Sequence, residues 1–220
     1  MRTAVLALET SGVIGRHSPL KGASRLLSVA VVCVGLSGCA TLSKEECLSA
    51  DWAAIGERDG AAGYEPQARF AGHTKACAKV SITPDRLAWN SGFDRGLARY
   101  CTPQNGLYVG QQGNSYQGVC PVATASAFLE SYQVGYNAYT AQSELDSAKR
   151  DIESKQDELS EVLKGFAGLS QADQVKAQFE ISELNRDIQD LQTDLVQLSA
   201  EVARADAAVE AHRQRLLSGS

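Results

Sequence analysis

Thiols and imidazoles are the groups in this chain best suited to chemistry, and their placement restricts what they can do. There are six cysteines and three histidines. His17 lies near the start, His73 stands four positions before Cys77 on a helical pattern, and His212 falls inside a heptad pattern near the far end. A cysteine–histidine nucleophile needs a free thiol, which an oxidised Cys77 would not supply. Asp85 and Asp94 are nine apart, do not share a helix face, and make a poor acid–base pair. Arg95 and Arg99, four apart, would grip an acidic group or pair with neighbouring helices. No serine or threonine sits in a G-x-S-x-G elbow. The residues point to no catalytic constellation, no cofactor and no metal.

One cysteine does have chemistry in view. Arg16, Lys21 and Arg25 precede an apolar run, LLSVAVVCVGLSG from Leu26 to Gly38, too short to span a hydrocarbon core that needs about 20 residues. The run ends at Leu36-Ser37-Gly38-Cys39. This tetrad resembles the lipobox of bacterial lipoproteins, which implies that residues 1–38 are a signal peptide and that the Cys39 thiol receives a diacylglycerol. Acyl chains bury about 0.8 kcal/mol per CH₂, so three of them make attachment permanent. Ala40 follows Cys39; the resemblance implies release from the inner membrane, hence a periplasm-facing outer-membrane destination in a Gram-negative cell. Removing residues 1–38 takes away four basic groups and one acidic, carrying the formal charge from −5 to −8. With a pI near 5.3, the chain lacks the basic footprint of a nucleic-acid binder.

Export changes the reading of the other cysteines. Cys47, Cys77, Cys101 and Cys120 form an even set in an oxidising compartment, which reads as two disulfides with three possible pairings. Pairing Cys47 with Cys77 and Cys101 with Cys120 closes two local loops and is preferred. Each would contribute about 3 kcal/mol by restricting the unfolded chain. A four-cysteine zinc site is the competitor, but no C-x-x-C pair exists to nucleate one.

The elements that must position these residues are helices. Ser43 and Glu46 form a capping box that predicts a helix through Trp52 and Ile55 to the region of Gly60 and Gly63. Pro66 opens a second helix through Phe70, His73 and Cys77. Thr83 as N-cap with Pro84 at the first position predicts a third through Trp89, Phe93, Leu97 and Tyr100, in which Gly92 and Gly96 would let another backbone approach. From Cys101 to Cys120 runs a Gly-rich loop, TPQNGLYVGQQGNSYQGV between them. There Asn105-Gly106 signals a turn, and Tyr108 and Tyr116 would pair across a hairpin or pack the loop on the helices. Such a loop could offer N–H groups to an anion, though it lacks the lysine of a P-loop.

The tail has a different texture. Ile181, Leu184, Ile188, Leu191, Leu195, Leu198, Val202, Ala205, Val209, His212 and Leu216 recur in 3,4 spacing, the seam of a coiled coil. Leu145, Ala148, Ile152, Lys155, Leu159, Val162 and Phe166 keep the same rhythm upstream, with Lys155 the charged member. A break over residues 164–170, with Ser170 and Asp173 to cap the second arm, predicts an antiparallel hairpin hinged near 165–170. Arms from Pro121 to Lys164 and from Gln171 to Leu217 would each run about 65–70 Å at 1.5 Å per residue. Phe128, Tyr132, Tyr136 and Tyr139 form an aromatic stripe suited to packing on the body. Parallel pairing of helix 171–217 with its copy, or hairpins joined as a four-helix bundle, are the alternatives.

The series Cys47, Trp52, Gly56, Asp59, Gly63, Cys77, Gly92, Gly96, Tyr100, Cys101, Gly106, Gly110, Gly113, Tyr116, Cys120, Pro121, Phe128, Tyr132 and Gly135 resembles the bacterial lipoprotein family known as domain of unknown function 2799. The stretch RGLARYCTPQNGLYVGQQGNSYQGVCP from Arg95 is the most specific part, and the resemblance spans roughly residues 45–140. It implies the compartment and the disulfides and no activity.

The expectation is therefore a mainly α protein in three parts: signal peptide 1–38, disulfide-stapled helical domain 39–120 and a long antiparallel coiled-coil hairpin 121–220. Its function is expected to be structural, a membrane-anchored lipoprotein whose hairpin meets an envelope protein partner or a second copy, with no nucleic acid involved. The alternative is a periplasmic module binding a small anionic or glycan ligand in a pocket of Arg95, Arg99, Tyr108 and Tyr116.

Overall fold

The computed structural model describes residues 41–219, which are all-helical, with no strand among them. The expected signal peptide, the expected lipobox residues Leu36, Ser37 and Gly38, and Cys39 lie outside the described residues. Seven α-helices occur in order: α1 (Lys44–Leu48), α2 (Trp52–Ala61), α3 (Pro66–Cys77), α4 (Arg86–Tyr100), α5 (Pro103–Gln111), α6 (Val122–Phe166) and α7 (Gln171–Ser218).

Local capping chemistry sets the boundaries, and in two places it corrects the expectation. The capping box of Ser43 and Glu46 forms, but its helix ends at Leu48. Ser49 turns back onto the Glu45 carbonyl, and Asp51 starts α2 afresh by accepting from Ala54 N–H. Helix α4 likewise begins at Arg86, because the Asp85 carboxylate takes the N–H groups of Leu87 and Ala88. A carboxylate at N-cap outcompetes Thr83 and leaves Pro84 outside the helix.

A larger correction falls between Cys101 and Cys120. The Gly-rich loop is mostly α5: Thr102 caps Asn105 N–H, Pro103 occupies the first turn, and Asn105-Gly106 is helical. No hairpin pairs Tyr108 with Tyr116. Glycines survive in this helix because tertiary contact demands them: a Cβ on Gly106 would strike the Phe128 carbonyl, and one on Gly110 the Tyr132 carbonyl.

Helices α2 and α4 meet in the same way. A Cβ on Gly56 would strike the Trp89 carbonyl, on Gly60 that of Phe93, and on Gly96 that of Glu57. The two helix pairs are copies of one unit. Gly106, Gly110 and Gly113 in and after α5 repeat the spacing of Gly56, Gly60 and Gly63 in and after α2. Phe128, Tyr132, Gly135 and Tyr139 in α6 repeat Trp89, Phe93, Gly96 and Tyr100 in α4. Even the exits match: Gly63 and Gly113 both turn at positive φ, 69° and 67°, and both lie against the ring of the corresponding tyrosine, Tyr100 or Tyr139. A side chain at either glycine would meet a strained backbone and an occupied space.

The disulfides staple this body as expected. Cys47–Cys77 joins α1 to the end of α3, and Cys101–Cys120 closes the segment carrying α5. Both sit beside a core centred on Trp89, Phe93, Phe70, Tyr100 and Phe128, with Tyr100 and Phe128 stacked at 5.2 Å between the two units.

Helix α6 leaves the second unit and runs 45 residues; α7, 48 residues long, returns along it. The pairing is antiparallel: Lys155 reaches Asp187 at 3.3 Å near the distal end, and Ser131 meets His212 at 2.7 Å near the body. Every heptad position predicted on α7 is buried or half-buried, with Leu184, Ile188, Val209 and His212 the most enclosed. The hinge is shorter than expected, residues 167–170, because Gly165 stays helical.

Candidate functional site

A carboxylate on the buried face of α2 organises the site. Ile55 and Asp59, four apart, both face inward, and Asp59 is 3% exposed. A buried charge survives only when paired and fully hydrogen-bonded, and α3 and α4 supply the partners. Arg69 Nε donates to Asp59 Oδ1 at 2.7 Å, Trp89 Nε1 donates to Oδ2 at 3.0 Å, and His73 Nε2 lies 2.7 Å from the same oxygen. Arg69 and His73 are one helical turn apart on α3, so one face of that helix delivers both. Burial pushes the Asp59 carboxyl up, but hydrogen bonds from His73, Arg69 and Trp89 outweigh it and hold the group below the usual range.

The network continues to the beginning of the described chain. His73 Nδ1 lies 2.8 Å from Thr41 Oγ1, and the imidazole is wholly buried. With Nε2–H donated to Asp59, Nδ1 accepts the Thr41 hydroxyl proton and every group is satisfied. Hydroxyl, imidazole and carboxylate stand in relay order, yet Asp59 already holds three donors. The arrangement pins Thr41 in place.

Above this floor lies an open cleft of about 290 Å³ lined by Thr41, Leu42, Glu46, Ile55, Arg58, Asp59, Ala62, Tyr64, Arg69 and His73. The Arg69 guanidinium rests 4.1 Å above the Tyr64 ring, a cation–π contact. Glu46 is held below the usual carboxylate range by its Ser43 backbone and side-chain hydrogen bonds.

The second unit shows that the fold does not require this cluster. Val109 stands where Asp59 does and Phe128 where Trp89 does, both buried in hydrocarbon contact. The same glycine-lined helix pair forms with either filling.

The residues predicted as a ligand pocket are dispersed. Arg95 and Arg99 both bind Glu57, at 3.1 and 2.6 Å, and hydrogen bonds from Arg99 and then Arg95 lower its pKa. Tyr116 packs on Phe128 at 4.9 Å while its hydroxyl accepts from Cys120 N–H at 2.9 Å. Tyr108 is 59% exposed and lines a separate cleft with Leu107 and the end of α7. Predicted helix geometry places Arg95 and Arg99 on one face correctly; their acidic group is internal.

Cys47, Cys77, Cys101 and Cys120 are all disulfide-bonded, so zinc is not their role, and the His73 ring pairs with Asp59 instead of Cys77. Thr41, Arg69 and the tie of Asp59 to His73 are not among the residues that motif and spacing single out. The legible signal is a lone carboxylate in register with Ile55, answered by a cationic and an imidazole side chain one turn apart on the next helix. His212 is buried against Ser131 Oγ, and Arg215 lies 3.1 Å from its Nδ1.

Among the described residues no helix is long and apolar enough to cross a membrane. These features define a small helical domain of two glycine-packed helix pairs with a buried aspartate–histidine cluster and an appended helical hairpin. Residues 51–137 match the family described as protein of unknown function, domain of unknown function 2799. The match covers both helix pairs and stops where α6 leaves the body. No curated protein and no solved structure matches the chain.

Proposed function

We propose that the chain is a lipid-anchored, periplasm-facing protein of the cell envelope, tethered through Cys39 at the outer membrane, whose hairpin docks as a coiled coil on another envelope protein. The observation that carries this reading is the pinning of Thr41. Two positions after Cys39 the chain is already bonded to the buried His73, and Leu42 is buried beside it. A lipid on Cys39 therefore holds the body at the bilayer surface, because two extended residues reach only about 7 Å. Arms of 45 and 48 residues extend about 70 Å at 1.5 Å per residue.

Mass spectrometry of the N-terminal peptide from membrane-purified protein tests the anchor: a diacylated, N-acylated Cys39 is expected, and an unmodified Cys39 or a retained leader overturns it. Crosslinking in cells from exposed sites along residues 171–217 tests the docking role, with one discrete adduct expected and none along the whole arm counting against it.

A second reading, a binding module for a small anionic or glycan ligand, is favoured by the cleft over Asp59 and His73. Its polar walls converge from three helices and the chain's first described turn, the form small-ligand sites take.

A further inference from the structure

The cleft over Asp59 has a charge pattern that selects a ligand class. Its floor is internally neutralised: the Asp59 carboxylate is matched by Arg69 at 2.7 Å and capped by His73 and Trp89. What faces outward is one guanidinium and one carboxylate. Arg58 is exposed on α2, Glu46 is exposed on α1, and both line the same cleft of about 290 Å³. The half-exposed Tyr64, held under the Arg69 guanidinium, adds a hydroxyl at the rim. A simple anion would meet Arg58 but also Glu46, and a simple cation the reverse. A compact zwitterion satisfies both.

We propose that this cleft binds a phosphate–ammonium zwitterion of the phosphoethanolamine type, with the phosphate on Arg58 and the primary ammonium on Glu46. Guanidinium presents paired donors to phosphate oxygens, and a primary ammonium donates to a carboxylate as a quaternary one cannot. The source assigned is the headgroup of a bilayer lipid, since the cleft wall includes Thr41, within about 7 Å of chain from Cys39; this assignment of source rests on the lipid-anchor reading, whereas the zwitterion chemistry does not.

Calorimetric titration of the purified, detergent-solubilised protein with glycerophosphoethanolamine, glycerophosphocholine and glycerol phosphate separates the possibilities without reference to the anchor. Glycerophosphoethanolamine should bind most tightly. Arg58→Gln should weaken it by at least about tenfold, the loss of one charge-assisted contact. Glu46→Gln, which keeps an acceptor for the Ser43 cap, should abolish the preference over glycerol phosphate. Both side chains are exposed, and an unchanged melting temperature verifies that the variants fold. Equal affinity for the three compounds, no binding to the wild type, or an unaffected Arg58→Gln overturns the proposal. For the source, hydrogen exchange across residues 64–73 is compared in vesicles of phosphatidylethanolamine with phosphatidylcholine and of phosphatidylcholine alone. Slower exchange in the first supports the lipid. Equal exchange, with glycerophosphoethanolamine still bound in solution, overturns the lipid source and assigns a free ligand; an unmodified Cys39 with binding intact removes only the anchor.

Discussion

Asp59 and Val109 occupy the same position in two copies of one helix-pair unit, and both are buried, at 3% and 7% exposure. One holds a charge bonded to three side chains; the other packs as hydrocarbon. The polar version is therefore an elaboration of a frame that closes without it.

Removing the carboxylate leaves the buried His73 ring and Trp89 indole N–H without their acceptor and Arg69 without its partner. Asp59→Ala should lower the free energy of unfolding by about 3–5 kcal/mol, the usual loss when half of a buried pair is deleted. Asp59→Asn, which keeps the shape and an acceptor, should cost less. Urea denaturation reads both, and a loss for the alanine variant under about 1 kcal/mol would mean the pair behaves as a surface contact.

Acid sensitivity follows from the same group. The carboxyl is held below its ordinary range in the folded state, so the folded form binds fewer protons there than the unfolded form. Its stabilisation is complete above the ordinary aspartate range and drains as pH falls through that range toward the lowered folded value. Melting temperatures across that range should fall less steeply in Asp59→Asn than in the wild type; identical slopes would exclude Asp59 as a source of the acid limb.

Glycine replacements should separate contact from composition. Gly60→Ala and Gly110→Ala each drive a methyl into a backbone carbonyl, of Phe93 and Tyr132 respectively, and should cost about 2 kcal/mol or more as overpacking. Gly165→Ala meets nothing within 4 Å on the last turn of α6 and should gain roughly 0.5–1 kcal/mol from helix propensity. Thermal unfolding distinguishes them; a neutral Gly110→Ala would refute the close crossing of α5 and α6.

His212 should present its Nδ1 as acceptor and its Nε2 as donor. Arg215 only donates, and it sits 3.1 Å from Nδ1, so that nitrogen carries the lone pair and Nε2–H donates to Ser131 Oγ. Imidazole ¹⁵N shifts at neutral pH should report protonated Nε2. Ser131→Ala, removing the acceptor, should destabilise the end of α7 by about 1–3 kcal/mol, seen as faster hydrogen exchange over its last turns. A protonated Nδ1 would sink this geometry.

Much of the architecture is legible in the residues alone because it is written in local, periodic terms. Heptad spacing marks both long arms, and the burial of every predicted seam position on α7 follows from it; even Lys155, the charged interruption, resolves into a pair with Asp187. The cysteine spacing and the proline that opens α3 are equally readable. Asn105-Gly106 misleads because turn propensity is weak next to a tertiary contact that needs glycine for a backbone crossing. The duplicated units are hidden since only the glycines and the aromatic positions repeat. Which charges meet is the business of three dimensions: Glu57 claims Arg95 and Arg99, while Asp59 gathers Arg69, His73 and Trp89 from two other helices. Linear order sets which face of a helix is apolar; only the packing of α2 against α3 and α4 decides which buried carboxylate finds partners, because that depends on distances of a few ångströms between residues far apart in the chain.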